Sequence, residues 1–199
     1  MASLTRKIIN VIFGTFGVVL CTVFLFSCGI SKRATTHTSY SEQVVEFAEQ
    51  QWDLVYKKIP EGMESQFGFQ SHEDMVNAKM GNPIEMYYWG ENNIVKSQTY
   101  RVPVLVNGKM VSFLTVSAGE EMTTGDFGGS QLAQTIQIIA DQYNVEPYGI
   151  LRIYSITSDF FIFDNHGIFN FISISSHNYN SSEPKNILDI EDIRQLIVK

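Results

Sequence analysis

The residues that most often perform catalysis or bind metals are few and scattered in this chain. Its four histidines are His37, His72, His166 and His177. No two of them have the three- or four-residue spacing that places two side chains on one helix face. A zinc site needs three or four converging ligands, so we expect no metal site.

Two further features resemble catalytic or phosphate-binding elements only in part. Asp159 and Asp164 flank an aromatic segment, but a separation of five residues places them on opposite faces of a strand, where they make a poor acid–base pair. The loop GDFGGSQ, residues 125–131, matches neither the dinucleotide fingerprint nor the phosphate loop. We interpret it as a tight turn in which Ser130 caps a helix. The sequence therefore assigns no catalytic residue and indicates no cofactor.

The stretch MYYWGENN, residues 86–93, offers the best candidate ligand-binding residues. In a strand, Tyr87 and Trp89 share one face while Met86 and Tyr88 share the other. If Met86 and Tyr88 point to the core, Tyr87 and Trp89 form an aromatic platform for a sugar ring or a peptide. The alternative is that both rings cover the sheet beneath a helix.

Apolar periodicity predicts the elements that position these residues. A first helix is predicted between Ser41 and Pro60, since its apolar residues recur at spacings of three and four. Its inward residues are Val45, Ala48, Trp52, Val55 and Ile59. A short helix after Ser71 and an amphipathic helix over residues 132–143 follow. Apolar residues 149–163 and 167–176 predict a strand pair joined by a tight turn, and residues 188–198 a last helix.

Asn107 and Gly108 lie between two alternating apolar runs and predict a type I′ hairpin. The register set by this turn would place Val102 opposite Phe113 on the core side. Pro103 has no N–H to donate toward a third strand, so we expect its strand to be an edge or irregular at that point.

Charge and cysteine content exclude several classes of protein. The net charge is −7, and every acidic residue follows Cys28, which disfavours nucleic acid as a partner. No cysteine follows Cys28, so disulfides, zinc thiolates and cysteine nucleophiles are excluded from the folded part. About 170 residues follow Cys28, enough for one domain with its own core.

The N-terminus carries an export signature. Arg6 and Lys7 precede an apolar run over residues 8–30, the order of a secretory signal. The segment LFSC, Leu25 to Cys28, resembles the lipobox of bacterial lipoproteins over residues 1–29 only. The resemblance implies cleavage before Cys28, a diacylglycerol thioether on its sulfur, and acylation of the new amino terminus, for instance by palmitate. An uncleaved membrane span is the alternative, because roughly 20 apolar residues suffice to cross a bilayer.

Together these patterns predict a signal peptide over residues 1–27, a lipidated tether over 28–41 and a single α+β domain over 42–199. The domain would have a mainly antiparallel sheet with helices packed on one face. We expect a membrane-anchored cell-envelope lipoprotein whose domain faces the periplasm or the exterior and binds a polypeptide or a saccharide. An envelope hydrolase with a dispersed active site, or a structural subunit of an envelope assembly, are the alternatives.

Overall fold

A computed structural model of the chain describes residues 39–174 and 186–198, which belong to one compact unit. The predicted signal peptide and most of the predicted tether lie outside these residues. In chain order the helices and strands are α1 (Tyr40–Leu54), α2 (His72–Val76), β1 (Lys79–Met80), β2 (Ile84–Trp89), β3 (Ile94–Val106), β4 (Lys109–Ala118), β5 (Met122–Gly128), α3 (Ser130–Tyr143), β6 (Gly149–Ile153), β7 (Ser158–Asn165), β8 (Ile168–Ile174), β9 (Ile187–Leu188) and α4 (Ile190–Ile197). Short 3₁₀ turns occur at Tyr56–Lys58, Glu64–Phe67 and Tyr154–Ile156.

The strands form one nine-stranded sheet in the order β5-β4-β3-β2-β6-β7-β8-β9, with β1 pairing beside β2 on β3. Among the described strands, only β2 and β6 pair in parallel. This pair, called the seam below, joins a first half made of β1–β5 to a second half made of β6–β9. The mainly antiparallel α+β class is therefore confirmed.

The two faces of the sheet are distinguished by the cross-strand register. Residues paired across neighbouring strands point to the same side, and successive residues of one strand point to opposite sides. One row runs through Tyr100, Glu85, Gly149, Ile162 and Phe171. Its two ends belong to the apolar clusters that α1 and α4 cover, so we call this side the α1 face and the other side the α3 face.

Helices cover both faces of the sheet. Trp52 of α1 and Ile193 of α4 pack on the α1 face, whereas Ile136 of α3 packs on the α3 face, so the prediction that the helices share one face does not hold for α3. Both sides need a cover because the central strands are apolar on both. In β6, the adjacent residues Ile150 and Leu151 point to opposite faces and are fully buried. The α3 cluster includes residues of both halves of the sheet.

The first helix is set by its N-cap. The Ser39 hydroxyl accepts from the Glu42 N–H while the Glu42 carboxylate accepts from the Ser39 N–H, a complete capping box. Ala48 and Trp52 are buried as predicted. Val55 is 54% exposed, contrary to the prediction, because α1 ends just before it and the helical periodicity ends there too.

The hairpin of β3 and β4 forms at the predicted turn but in a different register. Asn107 and Gly108 have φ angles of 52° and 78°, the left-handed conformations that a type I′ turn requires. A bulge in β4, where Val111 has no partner in β3, then shifts the pairing, so Val102 faces Leu114 and the predicted pairing with Phe113 is wrong. Because one residue of shift exchanges the faces, Phe113 points to the α3 face instead of joining Val102.

Pro103 lies in an interior strand. One side of β3 pairs with β4, and the other side pairs with β2 as far as Arg101 and with β1 from Val104 onward. Pro103 occupies the gap between these two partners, where the Gly81 N–H donates to its carbonyl over 2.8 Å. The position is irregular, as predicted, but the strand is not an edge of the sheet; β5 and β9 are the two ends of the strand order among the described residues.

The glycine-rich segment before α3 is mostly strand. Residues 122–128 form β5, and Gly128 and Gly129, with φ angles of 146° and 72°, turn the chain into α3. Gly129 is the N-cap and provides no side-chain hydrogen bond, while Ser130 is the first helical residue. The prediction that Ser130 caps this helix is therefore wrong.

The second half of the sheet departs from the sequence prediction in one respect. The first of the two long apolar stretches forms two strands, β6 and β7, because a 3₁₀ turn divides it. The predicted turn between β7 and β8 is confirmed, with His166 and Gly167 in left-handed conformations and the Asp164 carboxylate accepting from the Gly167 N–H over 2.7 Å. Asp189 caps α4, and Ile193 is fully buried as predicted.

Candidate functional site

Tyr87 and Trp89, the predicted ligand-binding residues, lie together on the α1 face of β2. Both are partly buried against the cluster that contains Leu151 and Ile193. Trp89 pairs with Ile94 across the turn between β2 and β3 and packs in the same cluster. Trp89 therefore covers the sheet, whereas Tyr87 joins a group of exposed rings.

Three rings, Tyr87, Tyr148 and Phe169, form what we call the aromatic strip. The centroids of Tyr87 and Tyr148 are 6.3 Å apart with 19° between the ring planes, and those of Tyr148 and Phe169 are 4.6 Å apart at 40°. Tyr148 is 43% exposed and Phe169 45% exposed, so both offer aromatic surface to solvent. Gly149 makes room for the strip, because a Cβ at this position would lie 2.6 Å from Cε2 of Tyr87.

A charged pair lies beside the strip. The Glu85 carboxylate accepts from Lys96 Nζ over 2.5 Å through Oε1 and from the Tyr87 hydroxyl over 2.5 Å through Oε2. The bond to Glu85 raises the pKa of Lys96, while burial, reinforced by the same carboxylate, raises the pKa of Tyr87. Tyr87 is therefore a neutral donor and Lys96 a cation at neutral pH. The Lys96 side chain is 52% exposed, which leaves donors facing solvent.

Toward α1 the same face continues through two more tyrosines. Lys96 Nζ lies 5.9 Å from the Tyr100 ring centroid, within cation–π range, and the Tyr40 ring lies 6.2 Å from that of Tyr100. The Tyr40 hydroxyl donates to the Ala118 carbonyl over 2.7 Å, which fixes the start of α1 to the sheet. The α1 face between α1 and α4 thus combines aromatic rings with one ion pair.

The other sequence candidates do not converge. Asp159 lies on the α3 face and accepts from Arg152 Nη1 over 2.7 Å, whereas Asp164 lies near the end of β7 on the α1 face, so their predicted separation onto opposite faces is confirmed. His72 Nδ1 lies 3.2 Å from Oε1 of Glu64, whose other oxygen accepts a backbone N–H within its own loop. Such contacts hold the loop together.

A second polar group lies on the α3 face. The Thr115 hydroxyl donates to Asp126 over 2.5 Å, and Arg101 Nη1 lies 3.1 Å from the same carboxylate. Burial acts to raise the pKa of Asp126, but Thr115 and Arg101 outweigh it and hold the pKa below its ordinary value. Burial raises the pKa of Asp159 despite the opposing charge of Arg152. Within the described part of the chain, Arg101 Nε and Asp159 Oδ1 are buried without a hydrogen-bond partner.

A cleft of about 670 Å³ opens at one end of the α3 face. It lies between the C-terminal half of α3, the segment that follows it, and the hairpin of β3 and β4. Its residues include Asn82, Ile84, Pro103, Leu105, Met110, Gln137, Asp141, Asn144 and Glu146. Gln137 connects α3 to β4 beside the cleft: its Oε1 accepts from the Met110 N–H over 3.1 Å, and its Nε2 donates to Asp141 over 2.8 Å.

Comparisons of the chain with protein-family models, with curated proteins and with solved structures find no match. Among residues 39–174 and 186–198, no helix has the length and hydropathy needed to cross a membrane, and no three His, Cys, Asp or Glu side chains converge as metal ligands. Cys28, His37 and His177 lie outside these residues. The functional assignment therefore rests on the chemistry of the surfaces.

Most residues around Tyr87 were not singled out from the sequence. The position of Lys96 beside Tyr87 could have been predicted, because the turn that pairs Trp89 with Ile94 also pairs Tyr87 with Lys96. Tyr148 and Phe169 carry no local signal, since only the pairing of β6 with β2 and of β7 with β8 brings them beside Tyr87.

Proposed function

We propose that this protein is a membrane-anchored lipoprotein of the bacterial cell envelope whose domain binds a saccharide. The observation that supports saccharide binding is the aromatic strip, with Tyr148 and Phe169 both exposed beside the Glu85–Lys96 pair. Recognition sites commonly combine aromatic surface with a few well-placed polar groups that fix the orientation of the ligand.

The arrangement suits a sugar ring in two ways. The C–H groups on one side of a pyranose are apolar and pack on an aromatic face such as that of Tyr148. The hydroxyls at the rim of the sugar are donors and acceptors, and the exposed Lys96 ammonium offers donors while Glu85 offers carboxylate lone pairs. A ligand on the strip would thus meet both kinds of group within one surface.

A polypeptide that docks as an added strand near Pro103 is disfavoured, because the strand there is interior. The hydrolase alternative requires converging acids and bases, whereas Asp159 and Asp164 lie apart and Glu85 is engaged by Lys96 and Tyr87. Both observations favour saccharide binding over the alternatives.

Binding is tested with the full-length protein in detergent micelles against an array of bacterial envelope oligosaccharides, including peptidoglycan fragments. We expect Tyr148→Ala and Phe169→Ala each to weaken the binding of a retained glycan by about tenfold, the scale of an aromatic contact of 1–1.5 kcal/mol. Tyr88→Ala is the matched control, because Tyr88 is 39% exposed on the opposite face of the same strand. No retained glycan, or equal losses in all three variants, would contradict the proposal.

The anchor is tested separately by mass spectrometry of the protein isolated from membranes. We expect a mature chain that begins at a diacylated Cys28 with an acylated amino group. An intact Met1 terminus with an unmodified Cys28 thiol would rule out the lipid anchor without bearing on the sugar site.

A further inference from the structure

The cleft on the α3 face has a chemistry different from that of the aromatic strip. Its floor is apolar, formed by Ile84, Pro103, Leu105 and Met110. The volume of about 670 Å³ lies within the usual range for small-molecule sites, roughly 300–1,000 Å³. The cleft can therefore accept a ligand with an aliphatic portion.

The wall of the cleft is negatively charged and uncompensated. Asp141 and Glu146 belong to the lining, which includes no lysine, arginine or histidine among the described residues. The lining also includes the C-terminal end of α3, where the helix dipole places partial negative charge. The last turn of α3 contains Asp141 and no basic residue, so the carboxylate adds to this charge. An acidic residue at this position costs helix stability, and a bound cation would offset the cost.

The position of Asp141 is fixed within the fold. Gln137 donates to Asp141 over 2.8 Å and accepts from the Met110 N–H over 3.1 Å, so this part of the wall is tied to β4. Asp141 therefore lines the same cleft as the apolar residues, and Gln137 connects it to the strand that carries Met110.

We propose that the cleft binds an organic ammonium ion with an aliphatic stem. The ammonium group would lie against Asp141 and Glu146 at the end of α3, and the stem would lie on the floor formed by Pro103 and Leu105. This site is distinct from the aromatic strip, which lies on the other face of the sheet.

The test uses three probes with one stem: n-pentylamine, 1-pentanol and pentanoate. Each is titrated into the full-length protein in detergent micelles at pH 7, and binding is followed by isothermal titration calorimetry. We expect pentylamine to bind more tightly than the other two. Equal affinity for the three probes, or no binding of pentylamine, would overturn the proposal.

Charge-neutral variants locate the site. Asp141→Asn and Glu146→Gln should each weaken pentylamine binding by about fivefold, the scale of a partly exposed ion pair. Asp141→Asn retains an oxygen for Gln137 and removes a negative charge from a helix C-terminus, so it should fold with unchanged or raised stability. Lower affinity together with undiminished stability is a result that a purely structural role would not give.

Glu120→Gln is the matched control. It removes the same charge from the turn after β4, at the far end of that strand from the cleft. We expect Glu120→Gln to leave pentylamine affinity unchanged. An equal loss in Glu120→Gln would show that net charge alone attracts the amine and would overturn the site.

Discussion

Gly149→Ala should destabilise the protein by forcing the Tyr87 ring out of place. The added Cβ would lie 2.6 Å from Cε2 and 2.9 Å from Cδ2 of Tyr87, and 3.1 Å from the Glu85 carbonyl oxygen. Ordinary carbon contacts are about 3.5–4.0 Å, so the ring must move by about 1 Å. Its hydroxyl bond to Glu85 and its stacking on Tyr148 oppose that movement. Overpacking of this kind costs about 1–3 kcal/mol.

The assay is urea denaturation followed by circular dichroism, with thermal melts in parallel. For a domain of this size the expected loss lowers the melting temperature by about 2–10 °C. Gly125→Ala is the control, because Gly125 also lies in a strand and a Cβ there would be 3.5 Å from its nearest neighbour. We expect this control to be neutral or slightly stabilising, since alanine restricts the unfolded chain.

A double-mutant cycle isolates the contact between Gly149 and Tyr87. In a Tyr87→Ala background, adding Gly149→Ala should cost little, because the clashing ring is gone and only the Glu85 carbonyl remains close. The same cost in both backgrounds would refute the reasoning and point to the backbone. Gly149→Ala should also reduce glycan binding, because it displaces one ring of the aromatic strip.

Three further predictions concern other parts of the fold. Asp189→Ala removes the N-cap of α4 and should lower the free energy of unfolding by about 1 kcal/mol in urea titrations. Burial acts to raise the pKa of Asp126, but its bonded neighbours Thr115 and Arg101 lower it more strongly. The contribution of Asp126 to folding stability is therefore present above its unfolded pKa near 3.8 and is lost as the pH falls, so Asp126→Asn should cost more stability at pH 7 than at pH 3. Burial raises the pKa of Asp159, so its ionised form opposes folding, and Asp159→Asn should lower the stability less at pH 7 than at pH 3. For either aspartate, equal effects of the substitution at both pH values would contradict the direction of its pKa shift.

Local chemistry in the sequence was sufficient for the elements but not for their pairing. The Asn107–Gly108 turn is encoded by two residues that tolerate left-handed conformations, so it was predictable. The bulge that follows in β4 has no such local code, and one residue of shift moved Phe113 to the other face. The alternation of apolar and polar residues therefore identified the strands, but it did not determine which face of the sheet each buried residue points to.

The same distinction applies to the candidate site. The shared face of Tyr87 and Trp89 follows from the two-residue period of a strand, which needs no tertiary information. The contacts of Tyr148 and Phe169 with this face depend on a parallel pairing between strands far apart in sequence. No periodicity specifies such a pairing, because β6 could have paired with several neighbours of similar composition.

The seam also determines when the aromatic strip can form during folding. Pairing of Glu85 with Gly149 joins distant parts of the chain, and contacts of such long sequence separation are slow to form. Tyr87 enters the aromatic strip from the first half of the sheet, whereas Tyr148 and Phe169 enter it from the second. A chain with only its first half folded would have one ring of three. The aromatic strip would be complete only after β8 has paired, so a ligand that needs all three rings would bind only once the two halves of the sheet have joined.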